Sequence, residues 1–147
     1  MASAPFDASH PDALAIYCSN GRFTEAVEDL LRSLGHPRLD TMTLPGGPAL
    51  FEITTADICG IETVRVAASF LVRGHAIKHV ILLAHDGCGY YRARNPYEAP
   101  ARIVERQISD LRSAARWFRA NLTAVNVELF YANVVEHTVA FRRVEER

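Results

Sequence analysis

The sequence has little of what marks a secreted, membrane-bound or nucleic-acid-binding chain. It holds only three cysteines, Cys18, Cys59 and Cys88. That number is odd, and the opening MASAPFDASHPDA has neither the basic nor the apolar stretch of an export signal. A disulfide framework is therefore not expected. Buried thiols or metal ligands are, in a reducing compartment such as the cytoplasm. No apolar run approaches the roughly 20 residues that cross a bilayer, so a membrane partner is not expected either. Charge of one sign is also missing, because 16 Lys and Arg stand against 17 Asp and Glu, a formal net charge of −1. Without surplus cations nothing gathers phosphates, which argues against a nucleic-acid partner. Repeats and low-complexity segments are absent. What is there is a chain of 147 residues with 49% hydrophobic and 22% charged content. That fits a single globular domain over 1–147, with a short Pro-containing arm at 1–11.

Short apolar runs alternate with amphipathic segments. Ala13 to Cys18 is an unbroken apolar run, as a parallel strand buried on both faces should be. From Arg22 to Leu34, residues Phe23, Val27, Leu30, Leu31 and Leu34 share one helical face, and Gly35 supplies the stop. Leu39 to Leu44 reads as a second strand, closed by Pro45-Gly46-Gly47-Pro48. A helix is predicted over Ile61 to Arg73 and a strand over Lys78 to Ala84. The longest helix runs from Ala101 to Leu122, with Val104, Ile108, Leu111, Ala115, Phe118 and Leu122 as its apolar stripe. Asn126 to Val134 is a fourth strand, and Thr138 to Val144 a fifth that turns back at Glu136-His137.

Strands alternating with helices predict an α/β domain of three layers around a mainly parallel sheet. The expected order is 2-1-3-4, with the fifth strand antiparallel at the edge. Its topological switch point lies between strands 1 and 3, where such sheets bind ligands at the strands' carboxyl ends. Strand 1 leads into Cys18-Ser19-Asn20-Gly21-Arg22 and strand 3 into His85-Asp86-Gly87-Cys88-Gly89. Two thiols and an imidazole thus converge on that crevice. Thiolate and imidazole are the ligands zinc prefers, and three of them leave a fourth tetrahedral position open. Taken singly, Cys18 and Cys88 also read as small buried apolar residues and His85 as a loop histidine.

With these residues in place, the chain resembles the β-class carbonic anhydrases, which carry Cys-x-Asp-x-Arg after the first strand and His-x-x-Cys after the third. The resemblance covers almost the whole length. It implies Zn2+ held by Cys18, His85 and Cys88, and a lyase that hydrates CO2 to bicarbonate through a zinc hydroxide. It also implies a homodimer or a multiple of one. At the dyad aspartate's position stands Asn20, beside Arg22; the family's carboxylate pairs with that arginine and accepts a bond from the hydroxide. An amide oxygen still accepts a bond but has no charge. Asn20 also reads as an N-cap for the Arg22–Leu34 helix. Where the family has a polar Arg-Asn-Ala-Gly segment after strand 2, this chain has Leu44-Pro45-Gly46-Gly47-Pro48.

Three functional readings are open at this level besides CO2 hydration. One is a hydrolase of carbonyl sulfide or carbon disulfide, suited to a less polar pocket. Another is a zinc-binding member with little turnover. The last makes Cys18 and Cys88 a redox pair. Cys59 reads as a core thiol, and the arginines of the long helix as a solvated surface. Asp86 reads equally as a proton acceptor or a turn cap, and Tyr90 and Tyr91 as a pocket roof or as packing under the long helix. His10, His36, His75, His79 and His137 are proton carriers by residue type, and surface residues by default.

Overall fold

In the computed structural model, which describes residues 1–52 and 58–147, the run Ala13–Cys18 is buried at every position and forms strand β1. A strand with no solvent face belongs in a sheet's interior, and β1 lies between its two parallel partners. The elements that follow are α1 (Thr24–Ser33), β2 (Asp40–Leu44), a 3-10 turn (Gly47–Phe51) and α2 (Ile58–Gly74). Then come β3 (His79–His85), α3 (Gly89–Arg94), α4 (Pro100–Asn121), β4 (Asn126–Val135) and β5 (Thr138–Arg143). The five strands make one sheet in the order β2-β1-β3-β4-β5. All neighbours are parallel except β4 and β5, which pair antiparallel from Phe130–Arg143 to Val135–Thr138. This is the predicted mixed sheet, with the fifth strand at the edge.

Alternation along the strands divides the core between the two faces. Leu14, Ile16, Val80, Leu82, Val127 and Leu129 pack with α2 and α4 through Val64, Ala68, Leu111, Ala115 and Phe118. Ala13, Ala15, Tyr17, Ile81, Leu83 and Phe130 pack on the other face against Val27 and Leu31 of α1. Three layers result. Because β1 and β3 are adjacent and parallel, with Ile16 opposite Leu82, their carboxyl ends open side by side.

Local corrections follow from turn chemistry and helix phase. Helix α1 begins at Thr24 after Phe23, with no side-chain cap. Asn20 is therefore not its N-cap. The Asn20 side chain instead closes an Asx turn, its Oδ1 accepting the Arg22 backbone N–H at 3.1 Å. Helix α2 is described from Ile58, three residues before the predicted Ile61. Its core positions are Ile61, Val64, Ala68 and Val72. Cys59 lies about 200° around the helix from Ile61, and it is exposed rather than in the core. On α4 the fully buried face is Ile103, Gln107, Asp110, Leu111, Ala114, Ala115 and Phe118. It is turned from the predicted stripe so that Val104 and Ile108 are only half-buried.

Candidate metal centre

Cys18 ends β1, His85 ends β3, and Cys88 follows the turn after β3. The sheet brings the first two together and the turn adds the third. One ligand atom from each lies within 4.8 Å of the others. All three residues are buried, at 8%, 4% and 3% exposure, so a charge placed among them is sheltered from bulk water. The two Sγ atoms are 3.9 Å apart. That is far from a disulfide's 2.05 Å or so, and both thiols are free. It is close to the spacing of about 3.8 Å that two thiolates adopt on one tetrahedral zinc with bonds of about 2.3 Å.

The imidazole is set up to ligate. Its Nδ1 lies 2.7 Å from the Asp86 carbonyl oxygen, and a carbonyl only accepts, so Nδ1 carries the proton. The lone pair is then on Nε2, which is buried without a hydrogen-bond partner among the described residues. A buried polar atom left unpaired costs about 1–3 kcal/mol. A metal in the cluster removes that cost, and the donor set is the soft sulfur and imidazole mix that zinc selects. The residues present fit the ion. The Phe23 ring tilts against the imidazole at 4.2 Å between centroids and closes its other side.

Electrostatics separates the thiols. The Cys18 thiol is held well below its usual range, chiefly by the bond from the Cys88 thiol; burial opposes this, and the backbone amides of Gly46 and Asn20 add to it. Cys88 is pushed up by that same bond with Cys18 and by burial, against the amides of Tyr91 and Tyr90 at the start of α3. Their shared bond thus favours the negative charge on Cys18 and the proton on Cys88. A metal that takes both sulfurs displaces the remaining proton.

The loop after β2 shapes the neighbouring wall. A Cβ on Gly47 (φ +51) would sit 2.7 Å from the Cys18 backbone nitrogen, and one on Gly46 (φ +83) 2.5 Å from the Tyr90 ring. Only glycine lets this loop press onto the end of β1, which brings the Gly46 amide to the Cys18 sulfur. From this segment Ala49 packs with Cys18 and Cys88, while Phe51 turns to Trp117 and Phe118 in the core under α4.

Asn20 and Arg22 remain partners despite the missing charge. Asn20 Oδ1 accepts from Arg22 Nε at 3.2 Å as well as from the Arg22 backbone. Asp86 is a turn anchor and not a free proton acceptor, because one carboxylate oxygen takes the Tyr131 hydroxyl at 3.0 Å and the other the Val134 N–H at 2.8 Å. Tyr91 packs beneath α4, donating to Asp110 Oδ2 at 2.5 Å, while Tyr90 lies against Gly46. His10 stacks on His75 at 4.1 Å, and His36 tilts on His79 at 5.0 Å. His79 opens β3, so these pairs sit at the sheet's other end from Cys18 and His85. Sequence reading missed Gln107, Asp110 and Tyr131, buried polar groups that reach the site from behind. The available signal was the spacing Ile103, Gln107, Asp110, Ala114, which continues one helical face through two polar residues.

No family model matches the chain, and no curated protein does. Solved structures match over nearly its full length. A β-carbonic anhydrase of Aspergillus fumigatus superposes with a TM-score of 0.58 at 17% identity, covering 95% of this chain and 77% of that one. One from Trichomonas vaginalis gives 0.60 at 11%, covering 95% and 87%. A tetrameric β-carbonic anhydrase of Sordaria macrospora gives 0.53 at 13%, covering 90% and 81%. The sheet order, the crossovers and the strand ends that gather Cys18, His85 and Cys88 are thus set on the fold of the β-carbonic anhydrases.

Proposed function

We propose that the protein is a zinc-dependent lyase of the carbonic anhydrase type, hydrating CO2 to bicarbonate. The observation that carries this reading is the convergence of Cys18, His85 and Cys88 within 4.8 Å, with His85 Nε2 buried and unpartnered. Cys18, His85 and Cys88 are the proposed ligands. Zinc held there would lower the pKa of a water to about 7 and so supply a nucleophile at neutral pH.

The chain's own groups do the rest. The cluster's burial strengthens every charge interaction within it. Asn20 is the proposed polar group beside the metal, and Arg22, which gives Asn20 Oδ1 two donors, orients it. Because Asn20 brings no charge, it holds a proton donor less tightly than a carboxylate, and slow turnover is expected. A thiolate pair of this kind needs a reducing setting, and we place the protein in the cytoplasm. Among the described residues, no helix is long and apolar enough to cross a membrane.

A homodimer or a multiple of one is part of the proposal. The tetrameric Sordaria proteins share the fold, and the outer face of α2 leaves Ile58, Val66 and Phe70 at 73%, 64% and 66% exposure. Such a patch, with Glu62 and Arg73 at its rim, suits burial against another copy.

One observation favours a second substrate. Ala49 packs with Cys18 and Cys88 in an apolar cluster, which suits a less polar linear molecule, carbonyl sulfide or carbon disulfide, with the same chemistry. Stopped-flow CO2 hydration on protein of measured zinc content, run beside carbonyl sulfide hydrolysis, decides between them. Turnover of CO2 above that of a Cys88→Ser control supports the lyase. Carbonyl sulfide turnover alone selects the hydrolase. Zinc-loaded protein inert toward both is a binding protein, and the enzymatic reading then falls.

A further inference from the structure

The nitrogen of His85 that faces the thiols is chosen by a carbonyl, and residues on α4 and β4 hold that carbonyl in place. Asp86 O stands 2.7 Å from His85 Nδ1, so its aim decides which ring nitrogen keeps the proton. Three bonds fix the Asp86 unit on β4: its own N–H donates to Ala132 O at 2.9 Å, and Val134 N–H and the Tyr131 hydroxyl donate to its two carboxylate oxygens at 2.8 and 3.0 Å. From the other side, Gln107 Nε2 of α4 donates to His85 O at 2.8 Å. The Tyr131 hydroxyl is also 2.9 Å from Gln107 Oε1, so one proton is shared between the two arms.

Gln107 and Tyr131 are 1% and 0% exposed. Burying an amide and a phenol costs free energy unless each is paired. Apolar side chains of the same size would fill the space without that demand. The two polar groups spend their bonds on His85 O, on the Asp86 carboxylate and on each other.

The geometry points to Gln107 and Tyr131 as positioning residues that hold His85 with its proton on Nδ1 and its Nε2 lone pair toward Cys18 and Cys88. The proposal rests on the metal reading above, but it concerns the ring's tautomer and orientation, which are measurable without metal. Such outer groups typically change metal affinity 10–100-fold when lost.

The test uses Tyr131→Phe and Gln107→Leu, with Asp86→Asn as the conservative variant that keeps one acceptor oxygen. Phe118→Leu serves as a control that loosens the same core away from the cluster. Two quantities are read on the full chain: zinc affinity by competition with a chromophoric chelator, and imidazole 15N shifts of His85 in metal-free protein. Expected are a 10–100-fold loss of affinity in Tyr131→Phe and Gln107→Leu, a smaller loss in Asp86→Asn, and no change in Phe118→Leu. The 15N shifts should report a single Nδ1–H tautomer in the parent and a mixture in the two variants. Affinities within twofold of the parent with an unchanged tautomer overturn the proposal, as does an equal loss in Phe118→Leu. If one variant fails to fold, the other decides. A parent that binds no zinc overturns the metal reading instead, and the 15N shifts still settle the positioning role.

Discussion

Replacing Asn20 by aspartate separates two effects that one substitution usually confounds. The backbone is already arranged for a carboxylate, because Asn20 Oδ1 accepts from both Arg22 N and Arg22 Nε at 3.1 and 3.2 Å. Asn20→Asp changes the charge and leaves the acceptor where it is. Both bonds lie in solvent-exposed surroundings, so the new ion pair adds only about 0–1 kcal/mol to stability. For a chain of this length that is a rise in Tm of less than about 4 °C. The effect on reaction is larger: a preorganised group facing developing charge is worth about 10²–10³ in rate. We expect CO2 hydration to rise at least about tenfold, or about 1.4 kcal/mol of barrier, in stopped-flow assays at matched zinc content. Adding Arg22→Ala should cancel the gain, since the carboxylate then loses both its orientation and its neutralising partner. If Asn20→Asp keeps its zinc and its turnover stays within twofold of the parent, the missing charge is not what limits the site. A different substrate then becomes the explanation.

Gly47→Ala should destabilise the fold by about 2 kcal/mol or more, combining a left-handed backbone strain of about 1–2 kcal/mol with overpacking against the end of β1; an unchanged urea midpoint contradicts the close approach of that loop. Stability should fall as pH rises above about 10. Tyr91 and Tyr131 are pushed up by burial first and by Asp110 and Asp86 next, so the native state keeps protons that the unfolded chain releases there. Each contributes a slope of up to about 1.4 kcal/mol per pH unit, and Tyr91→Phe should flatten the profile in urea titrations between pH 8 and 11. A flat parent profile refutes this. Light scattering should return at least twice the chain mass of 16.3 kDa and Phe70→Glu should reduce it; a parent mass of one chain at all concentrations refutes the α2 interface.

The sheet was legible because buried strands write themselves as unbroken apolar runs. Ala13–Cys18 and the segment before His85 left one arrangement for the switch point, and the ligand residues stand directly after them. Details governed by turns were less legible. Asn20 reads as a cap by type, yet its side chain closes an Asx turn ahead of the helix. The short helix Gly89–Arg94 and the 3-10 turn Gly47–Phe51 are too brief to show a period. On α4, counting apolar residues alone favoured Val104 and Ile108 over the face that carries Gln107 and Asp110. Polar residues in a core are recognisable only through their partners, and Tyr131, Asp86 and Tyr91 come from distant parts of the chain.

The central claim is that Cys18, His85 and Cys88 hold one zinc. Elemental analysis of freshly purified, unchelated protein tests it most directly, with Cys88→Ser beside the parent, since a hydroxyl is a poor ligand for this ion. The account predicts close to one zinc per chain in the parent and loss of most of it in the variant. Protein without zinc, or zinc retained in full by Cys88→Ser, contradicts it.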